Sequence, residues 1–321
     1  MMNCLCCGKP IDLKAASVEE HYGWHIGCVK KFFGTTFLPV LDVSKEEVEE
    51  LANQTVAQGY TVPGVQKKLS LHLSHEPHGS RLTLVNYPTG YILKPQTAEY
   101  ASLPEYEYLA MNMAKAAGIR VVPCALIRMG DGYAYITRRI DRKVVRGKMS
   151  MCAMEDFCQL GQRLTQDKYR GSYEQCVRII QRYSSRPLLD LTEFFMRLVF
   201  CYVIGNSDMH LKNFSLIETA PGTREFCLSE AYDLLPVNLI LPEDHEEMAL
   251  TLNGKKQKIR KKDFLLLAEK SGIARKTAEN LINKVCSCEE CWIDILLQSM
   301  LNEEQRDSWM ALIQRRLEIL R

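Results

Sequence analysis

The sequence predicts an α+β fold in which a small sheet-containing lobe is followed by a larger helical lobe. Short apolar runs separated by turn residues extend from about residue 59 to residue 139 and indicate strands. From about residue 150 onward, apolar residues recur at helical spacing, which indicates helices. The start of the chain crowds cysteines and histidines together and predicts a separate small unit. We therefore expect three regions, at 1–43, 44–145 and 146–321.

The composition excludes several classes of protein. The chain has 321 residues, of which 46% are hydrophobic and 25% charged, as in soluble globular proteins with a sizeable core. Its 41 lysines and arginines and 39 aspartates and glutamates leave a formal net charge of +2, so no global basic field attracts nucleic acid or an anionic membrane. The most apolar segment, Phe194 to Gly205, is interrupted by Arg197 and is too short to span a bilayer.

Cysteine usage points to a reducing compartment. The chain has 13 cysteines, an odd number, and its N-terminus lacks the basic and apolar stretches of a secretory signal. Disulfides persist mainly in exported proteins. We therefore expect a cytoplasmic protein with reduced thiols, some of them available to hold a metal ion.

Four side chains of the N-terminal unit have the spacing of a zinc ribbon or treble clef. They are Cys4, Cys7, His25 and Cys28. Gly8 follows the second cysteine, as in a tight zinc knuckle, and the second pair opens a helix predicted at 26–33. Four N and S ligands with no open position predict a structural zinc ion that folds a segment too small to bury its own core. The alternative is a set of reduced, partly buried cysteines and a surface histidine without a metal ion. Cys6 and His21 compete with these four side chains for the ligand positions.

The elements of the first lobe follow from local signals. Ser44 is a capping residue with Glu47 three positions later, so a helix should begin there and run to about Asn53. Gly118 should end a second helix at 104–117. The remaining predictions are strands within 65–73, 82–85, 91–93, 121–128 and 133–139, with a turn at 86–90.

The second lobe is predicted from apolar residues at helical spacing. Its expected helices lie at 153–164, 173–183, 190–205, 261–272, 274–285 and 303–319. An apparent hairpin follows the third of these helices and ends at Asp233. The crossing between the lobes is expected near residues 139–150.

The segment from Ile204 to Ser215 introduces polar residues directly after a long apolar helix. Asp208 and Asn213 have the Asp-x-x-x-x-Asn spacing of a phosphotransferase catalytic loop. In such a loop the aspartate accepts the proton of the attacking hydroxyl, and the asparagine binds magnesium. Asp233, twenty residues later, is in place to supply a second magnesium ligand. Each residue alone is typical of a turn or a helix cap, whereas the ordered set favours catalysis.

Three upstream features fit an ATP site in the expected order. Backbone amides of the turn at 61–68 are suited to cradle phosphates, although the turn alone is more typical of an ordinary hairpin. Lys94 ends an apolar strand and is suited to contact nucleotide phosphates, with Glu105 or Glu107 as its partner. Taken singly, these lysine and glutamate side chains fit solvated positions equally well. The linker at 136–142 lies where a hinge would form hydrogen bonds with adenine.

With these motifs in order, the chain from about residue 44 onward resembles the HipA-like serine/threonine kinases of bacterial toxin–antitoxin systems. The loop Gly205-Asn-Ser-Asp-Met-His-Leu-Lys-Asn-Phe-Ser215 is the most specific match. Further matches occur in family order, at Gly64-Val-Gln-Lys-Lys-Leu, Lys94-Pro, Arg139-Ile-Asp-Arg, Glu155-Asp-Phe-Cys-Gln-Leu and Tyr232-Asp-Leu. The resemblance implies a bilobal, protein-kinase-like fold, with ATP and Mg²⁺ as cofactors.

The resemblance also implies roles for individual residues. Asp208 corresponds to the catalytic base, with His210 and Lys212 making phosphate and loop-stabilising contacts beside it. Asn213 and Asp233 correspond to the magnesium ligands. The positions implied for ATP binding are Gly64, Val65, Gln66, Lys68, Lys94, Glu107, Thr137, Arg138 and Arg139. Arg138 replaces an acidic residue common in the family's hinge, so adenine recognition should differ in detail.

Only about forty residues precede Ser44, so the chain looks most similar to HipT, the shortened kinase of three-component systems. This resemblance implies a small HipS-like partner and a DNA-binding HipB-like antitoxin, with DNA contacted only through the antitoxin. It also implies a protein substrate in translation, such as an aminoacyl-tRNA synthetase. Thr61, three residues before Gly64, matches the family's autophosphorylation site, although a turn threonine that bonds its own backbone is the alternative.

Other interpretations stay open. A degenerate kinase that docks an antitoxin–DNA complex and a small-molecule phosphotransferase would use much of the same sequence. The basic run at 255–262 is typical of a solvated loop and, less often, of a surface that binds an acidic partner. Cys286-x-Cys288-x-x-Cys291 lacks a complementary second pair, so we do not expect a metal there.

Overall fold

The computed structural model describes residues 2–12, 22–41, 68–76, 79–83, 90–145 and 148–321. The helix predicted from Ser44 and most of the turn at 86–90 lie outside this part of the chain. Contacts divide the chain into two compact units. The first comprises the described residues up to Tyr108 together with Val122–Ile140, and the second comprises Leu109–Val121 and Asp141–Arg321. The predicted region limits at 43 and 145 stay predictions.

The first unit contains a two-stranded and a six-stranded sheet. Strands β1 (Met2–Asn3) and β2 (Pro10–Ile11) form an antiparallel pair. The larger sheet has the order β3-β5-β4-β6-β8-β7, antiparallel except for the parallel pair β3–β5. Its strands are β3 (Val40–Leu41), β4 (Leu69–Glu76), β5 (Gly79–Thr83), β6 (Tyr91–Pro95), β7 (Cys124–Met129) and β8 (Gly132–Arg138). This arrangement confirms a sheet-rich first part of the chain.

Two helices accompany these strands in the described part of the unit. Helix α1 (Ile26–Phe33) buries Val29, Phe32 and Phe33. Helix α2 (Leu103–Ala116) begins in the first unit and continues into the second unit at Leu109. Gly118 ends α2 as predicted, because its φ of +87° is left-handed and is readily adopted by glycine.

The second unit is mainly helical. Its helices are α3 (Phe157–Leu160), α4 (Tyr173–Tyr183), α5 (Pro187–Ile204), α6 (Val237–Ile240), α7 (Lys261–Lys270), α8 (Arg275–Cys286), α9 (Glu289–Leu297) and α10 (Glu303–Leu320). Short 3₁₀ turns occupy Thr165–Asp167 and Leu211–Asn213. The strands are β9 (Arg142–Val145), β10 (Lys148–Met151), β11 (Met154–Asp156), β12 (Ser215–Glu218) and β13 (Phe226–Leu228). No helix in the described ranges combines the length and apolarity that crossing a membrane would need.

The helix predicted at 153–164 is wrong. Residues 154–156 form β11, which pairs with β12, and only Phe157–Leu160 is helical. The Asp156 carboxylate starts this short helix by accepting from the Gln159 amide at 2.8 Å, and Gly161 follows its end. Pairing with a distant strand thus overrides the local helical spacing, which is a tertiary effect that no local pattern contains.

Helix α5 is the centre of the second unit and leads directly to the polar loop. All of its residues from Phe194 to Ile204 are buried. Its last carbonyl oxygens have side-chain partners on α10: Trp309 Nε1 donates to Ile204 O at 3.0 Å, and Arg316 Nη1 donates to Tyr202 O at 2.6 Å. These bonds satisfy groups that a helix end leaves without an intrahelical partner, and they fix where the loop begins.

Candidate active site

The polar loop after α5 begins at Gly205, whose φ of +83° terminates the helix. The loop then turns back on itself through hydrogen bonds that its backbone amides donate to one side chain and one carbonyl oxygen. The Asp208 amide donates to Asn206 Oδ1 at 3.2 Å, and the His210 amide donates to Asp208 O at 2.8 Å. The 3₁₀ turn at Leu211–Asn213 closes the loop before β12 begins. A rigid helix and a rigid strand therefore hold both ends of the loop.

Asp208 and Asn213 lie beside each other in this loop. Asn213 is buried, and its Nδ2 donates to Asp208 O at 2.8 Å. Because that bond uses the amide nitrogen, it orients Oδ1 as the remaining acceptor of the Asn213 side chain. The Asp208 side chain is 43% exposed, so its carboxylate is accessible to a substrate hydroxyl.

The Asp208 carboxylate has a defined electrostatic environment. Its Oδ1 accepts from the Tyr169 hydroxyl at 2.6 Å. Desolvation raises the pKa of Asp208 above its usual value, and the nearby Asp233 and Asp244 carboxylates act in the same direction. The hydrogen bond from Tyr169 and the charge of Lys168 oppose this rise by stabilising the carboxylate. This balance is typical of a general base.

Asp233 follows β13 and has a φ of +54°, a left-handed conformation uncommon for a residue with a Cβ. The preceding residue fixes this turn against the loop: the Tyr232 hydroxyl donates to Lys212 O at 3.1 Å and lies 2.5 Å from the Ser215 hydroxyl. Strained backbone of this kind recurs at functional sites. An aspartate oxygen and an asparagine amide oxygen are ligands that Mg²⁺ prefers, so the donor set of Asn213 and Asp233 fits that ion.

His210 is buried beside Asp208. Its Nε2 lies 4.0 Å from Asp208 Oδ2, and its ring contacts the Tyr169 ring edge-on at a centroid distance of 5.0 Å. Burial and then the charge of Lys168 lower the pKa of His210 to about 3. The imidazole of His210 is therefore neutral at physiological pH and places no positive charge beside the Asp208 carboxylate.

Lys212 contacts an element outside the loop. Its Nζ lies 2.7 Å from Asp156 Oδ2, the same carboxylate that caps α3. This ion pair ties the loop to the start of α3. Asp156 belongs to the Glu155-Asp-Phe-Cys-Gln-Leu stretch identified in the sequence. In the structure, this stretch starts α3 and holds Lys212 of the loop.

In the first unit, Lys94 and Glu107 form a buried ion pair. Lys94 Nζ donates to Glu107 Oε1 at 2.7 Å, and the side chains are only 8% and 1% exposed. The ammonium group also lies 5.5 Å from the centre of the Tyr135 ring. The sequence offered two glutamates as partners of Lys94, and Glu107 makes this contact. Glu105 lies in an environment where desolvation raises the pKa of its carboxyl group.

The remaining ATP-binding candidates are placed only in part. Thr137 and Arg138 belong to β8, and the amides of Arg138 and Arg139 donate to Pro123 O and Gly90 O, at 3.0 and 2.9 Å. Because both amides already have acceptors, any contact of Arg138 or Arg139 with adenine would use a carbonyl oxygen or a side chain. Lys68 is exposed, directly before β4. The other three loop candidates lie outside the described residues, namely Gly64, Val65 and Gln66, and so does the autophosphorylation candidate Thr61.

Sequence reasoning missed two residues beside Asp208, Tyr169 and Lys168. They lie in a connection between a 3₁₀ turn and α4, where no periodicity or motif marks them. Asp156 was readable as a helix cap, since Gln159 three residues later completes a capping box. Its bond to Lys212 was not readable, because the two residues are 56 positions apart.

The four zinc-ligand candidates converge in the first unit. One ligand atom from each of Cys4, Cys7, His25 and Cys28 lies within 4.8 Å of the others. Among the residues that the structure describes, this is the one such cluster of cysteine, histidine or acidic side chains. Cys286, Cys288 and Cys291 form no cluster of this kind.

Comparison with known proteins places the chain in a family. The profile of the HipA-like C-terminal domain matches residues 60–292 of the 321. The chain belongs to the HipA-like family. A Haemophilus influenzae relative named "Putative kinase" is 27% identical over 309 residues, which covers 88% of each chain. The Sinorhizobium fredii protein named "Putative kinase Y4dM" is 32% identical over 233 residues, which covers 68% of this chain and 55% of that protein.

Solved structures of HipA-like and related kinases share the fold. HipA of Shewanella oneidensis MR-1, solved with HipB and operator DNA, superposes with a TM-score of 0.68 at 19% identity, covering 84% of this chain and 70% of that one. The Helicobacter pylori proinflammatory kinase CtkA superposes with a TM-score of 0.54 at 14% identity, covering 78% and 95%. These findings confirm the HipA-like resemblance and the mixed, kinase-like fold of this family member.

Proposed function

We propose that this HipA-like protein is an ATP- and Mg²⁺-dependent serine/threonine protein kinase. The observation that carries the proposal is the loop from Asp208 to Asn213, in which a half-exposed carboxylate lies next to an oriented asparagine amide. Asp233, in a left-handed backbone conformation, completes the acidic set. The kinase names of the relatives support the same reaction class.

In the proposed reaction, a substrate hydroxyl attacks the γ-phosphorus of ATP and loses its proton to Asp208, while the bond from that phosphorus to the β,γ-bridging oxygen breaks and ADP leaves. Asp208 Oδ2 is available for this, because Oδ1 accepts from Tyr169. Lys94, held by Glu107, donates to nucleotide phosphates. Asn213 and Asp233 would hold Mg²⁺, which neutralises phosphate charge when bound. Positioning and charge neutralisation supply most of the rate enhancement in such transfers, so little covalent chemistry is required of the protein.

The biological context of the proposal is a toxin–antitoxin system of the HipBA or HipBST kind. The solved HipA relative forms a complex with HipB and operator DNA, which supports a HipB-like antitoxin as partner of this chain. By family resemblance we include a small HipS-like partner. We also include a protein substrate in translation, such as an aminoacyl-tRNA synthetase.

Autophosphorylation of Thr61 is a further part of the proposal. A phosphate there would add about −1.5 to −2 units of charge and repel the phosphates of ATP. Mass spectrometry of wild-type chain and of Asp208→Ala should find phosphate on Thr61 in the active protein alone. Phosphate on another residue such as Ser70, with Thr61 unmodified and transfer intact, would show that the regulatory site lies elsewhere.

The decisive experiment is transfer of labelled phosphate from ATP to protein in a cell lysate. We expect labelling by the wild-type chain and by Asp307→Ala, which removes an exposed carboxylate on α10, but none by Asp208→Ala. Label in a small molecule instead of protein would indicate a small-molecule phosphotransferase. Absence of all transfer by a chain that still binds an antitoxin–DNA complex would indicate a binding module.

Two further variants separate the roles of the carboxylates. Asp208→Asn should abolish transfer and keep ATP binding, since it removes the base and leaves the phosphate contacts. Asp233→Asn should weaken magnesium-dependent nucleotide binding as well. Calorimetric titration with ATP, with and without Mg²⁺, measures the difference, and equal loss of binding in both variants would contradict this division of roles.

A further inference from the structure

The Cys/His cluster at the N-terminus has the geometry of a metal site. Cys7 Sγ lies 3.4 Å from His25 Nδ1, and Cys28 Sγ lies 4.0 Å from the same nitrogen. Around a tetrahedral Zn²⁺, sulfur and nitrogen ligands are separated by about 3.6 Å, as follows from Zn–S and Zn–N bonds of about 2.3 and 2.0–2.1 Å. The four donor atoms therefore lie within small adjustments of zinc coordination. Three sulfurs and one nitrogen are a donor set that zinc prefers over harder cations.

The surroundings of the ligands match this assignment. His25 Nε2 lies 3.2 Å from Pro10 O, so a proton on Nε2 is held there and the Nδ1 lone pair faces the cysteines. The His25 amide donates to Cys4 Sγ at 3.5 Å. Gly8, with a φ of +73°, closes the turn that brings Cys7 back toward Cys4, and its amide donates to Cys4 O at 2.8 Å. Each of these features favours thiolate and imidazole groups that point at one centre.

The elements around the cluster are too short to be stable by themselves. Strands β1 and β2 have two residues each, and α1 has eight. Isolated helices and hairpins of that size are marginal in water, and natural proteins stabilise such segments with a metal or disulfides. All four cysteine and histidine ligands come from these elements or their turns, so one ion would join β1, β2 and α1.

The turn between Cys4 and Cys7 is bonded to strand β7 of the sheet and to α2, the helix that carries Glu107. The Leu126 amide of β7 donates to Leu5 O at 2.8 Å, and the Tyr108 hydroxyl of α2 donates to Cys4 O at 3.4 Å. Tyr108 is the neighbour of Glu107 on α2. The Cys4–Cys7 turn is thus bonded both to the sheet and to the helix that positions Glu107.

Helix α1 makes the corresponding contact with β6. The Tyr91 hydroxyl donates to Phe32 O at 3.3 Å, and the Tyr91 ring lies 5.9 and 5.4 Å from the rings of Phe32 and Phe33. Tyr91 begins the strand on which Lys94 lies. The element that supplies Cys28 therefore packs on the strand that supplies Lys94.

We propose that Cys4, Cys7, His25 and Cys28 bind one structural zinc ion, and that this ion fixes the positions of β6 and the first turns of α2. The ion would act as a support for the Lys94–Glu107 pair and take no part in chemistry. The consequence for nucleotide binding rests on the proposed function, whereas the metal site and its effect on β6 and α2 do not.

The first test is metal analysis of the 321-residue chain purified without chelator under reducing conditions. We expect about one zinc per chain, and loss of most of it in Cys28→Ser. Cys6→Ser and His21→Ala are matched controls in the same segment and should keep the metal. Cobalt substitution should give the absorption of a tetrahedral thiolate site in the wild-type chain. This readout does not depend on any variant that fails to fold. A chain without zinc that gives no such cobalt spectrum, or equal loss of metal in Cys6→Ser, would overturn the site.

The second test follows backbone hydrogen exchange before and after zinc is removed by a chelator. Exchange should rise in 91–95 and 103–108 and return to its initial rate when Zn²⁺ is restored, while 194–204 of α5 serves as the internal control. Unchanged exchange in those two segments after complete removal of zinc would overturn the supporting role, whatever the result of the phosphate-transfer assay.

Discussion

Tyr169 and Asp208 are 39 residues apart, and the 2.6 Å hydrogen bond between them is the clearest case of a contact that sequence patterns could not supply. Motif spacing predicted Asp208 itself, because the proposed base and metal ligand follow each other within one loop. The sequence offered Glu105 or Glu107 as the partner of Lys94, the family resemblance implied Glu107, and the structure shows that contact. Local chemistry is thus readable at residue scale, whereas partners brought from other loops are not.

Tyr169→Phe should lower the rate of phosphate transfer by about 10- to 150-fold, since a hydrogen bond to a charged group contributes about 1.5–3 kcal/mol. The bond stabilises the ionised carboxylate, so its removal should raise the pKa of Asp208 and shift the acidic limb of the pH–rate profile to higher pH. Steady-state kinetics from pH 5 to 9 measure both effects. Tyr183→Phe, at the end of α4, is the control, and an unshifted profile in Tyr169→Phe would mean that the tyrosine does not tune the base.

The buried Lys94–Glu107 pair should couple strongly in stability. Removal of one partner leaves an uncompensated buried charge, so Lys94→Met and Glu107→Gln should each lower the free energy of unfolding by about 3–5 kcal/mol. The double variant should cost less than the sum of the two, by about 1–3 kcal/mol. Urea denaturation measures this cycle, with the exposed Glu99→Gln as control. Strict additivity would show that the pair is not the interaction that stabilises these side chains.

At the scale of elements, long periodic helices were predicted best and short paired segments worst. Helix 173–183 was predicted within its observed bounds, and α5 began three residues earlier than expected. The segment 153–164 failed because β11 takes its backbone bonds from β12, about sixty residues away. The β9–β10 hairpin and α9 were not predicted at all. Strand pairing depends on distant partners, and a local pattern contains no information on them.

Gly205 joins α5 to the proposed catalytic loop, and two separate effects should forbid a side chain there. A Cβ would lie 2.5 Å from Leu312 Cδ2, and the φ of +83° is strained for alanine. Gly222, with a φ of +80° and open space around its Cβ position, isolates the backbone effect. Gly205→Ala should therefore lower the free energy of unfolding by about 1–3 kcal/mol more than Gly222→Ala does.

Thermal and urea denaturation of both glycine variants measure this difference. Gly205→Ala should cost less in a Leu312→Ala background than in the wild-type chain, because the side-chain atoms that crowd the added methyl group are then absent. Phosphate transfer should fall in Gly205→Ala and stay unchanged in Gly222→Ala, because the first residue fixes where the loop leaves the helix. Equal destabilisation by the two variants would show that α10 yields to the added methyl group.

At the scale of the whole molecule, the small net charge argues against direct binding of nucleic acid, whereas the basic run at 255–262 is a possible contact for it. The structure favours the absence of direct binding. Lys255 Nζ lies 2.7 Å from Asp263 Oδ1, and Lys256 Nζ lies 2.9 Å from Glu246 Oε2. Lys261 donates to the carbonyl oxygen of Arg321 at 3.1 Å. Arg260 Nη1 donates to Ile259 O at 3.2 Å. Four of the six cations in this run are thus engaged within the protein, and the chain as a whole carries a net charge of only +2.

The chain alone should therefore bind operator DNA no more tightly than other DNA. Its Kd should lie in the range of non-specific binding, about 10⁻⁴–10⁻⁶ M at physiological salt, or be larger. Mobility-shift titrations over a range of salt concentrations measure this affinity. Lys258→Gln and Lys262→Gln should leave the salt dependence unchanged, since a lysine that neutralises a phosphate contributes about one unit to the slope of log K against log[salt]. A HipB-like antitoxin should then supply all DNA binding of the complex. Tight, salt-sensitive binding by the chain alone, reduced in both lysine variants, would instead make the basic run a direct DNA contact.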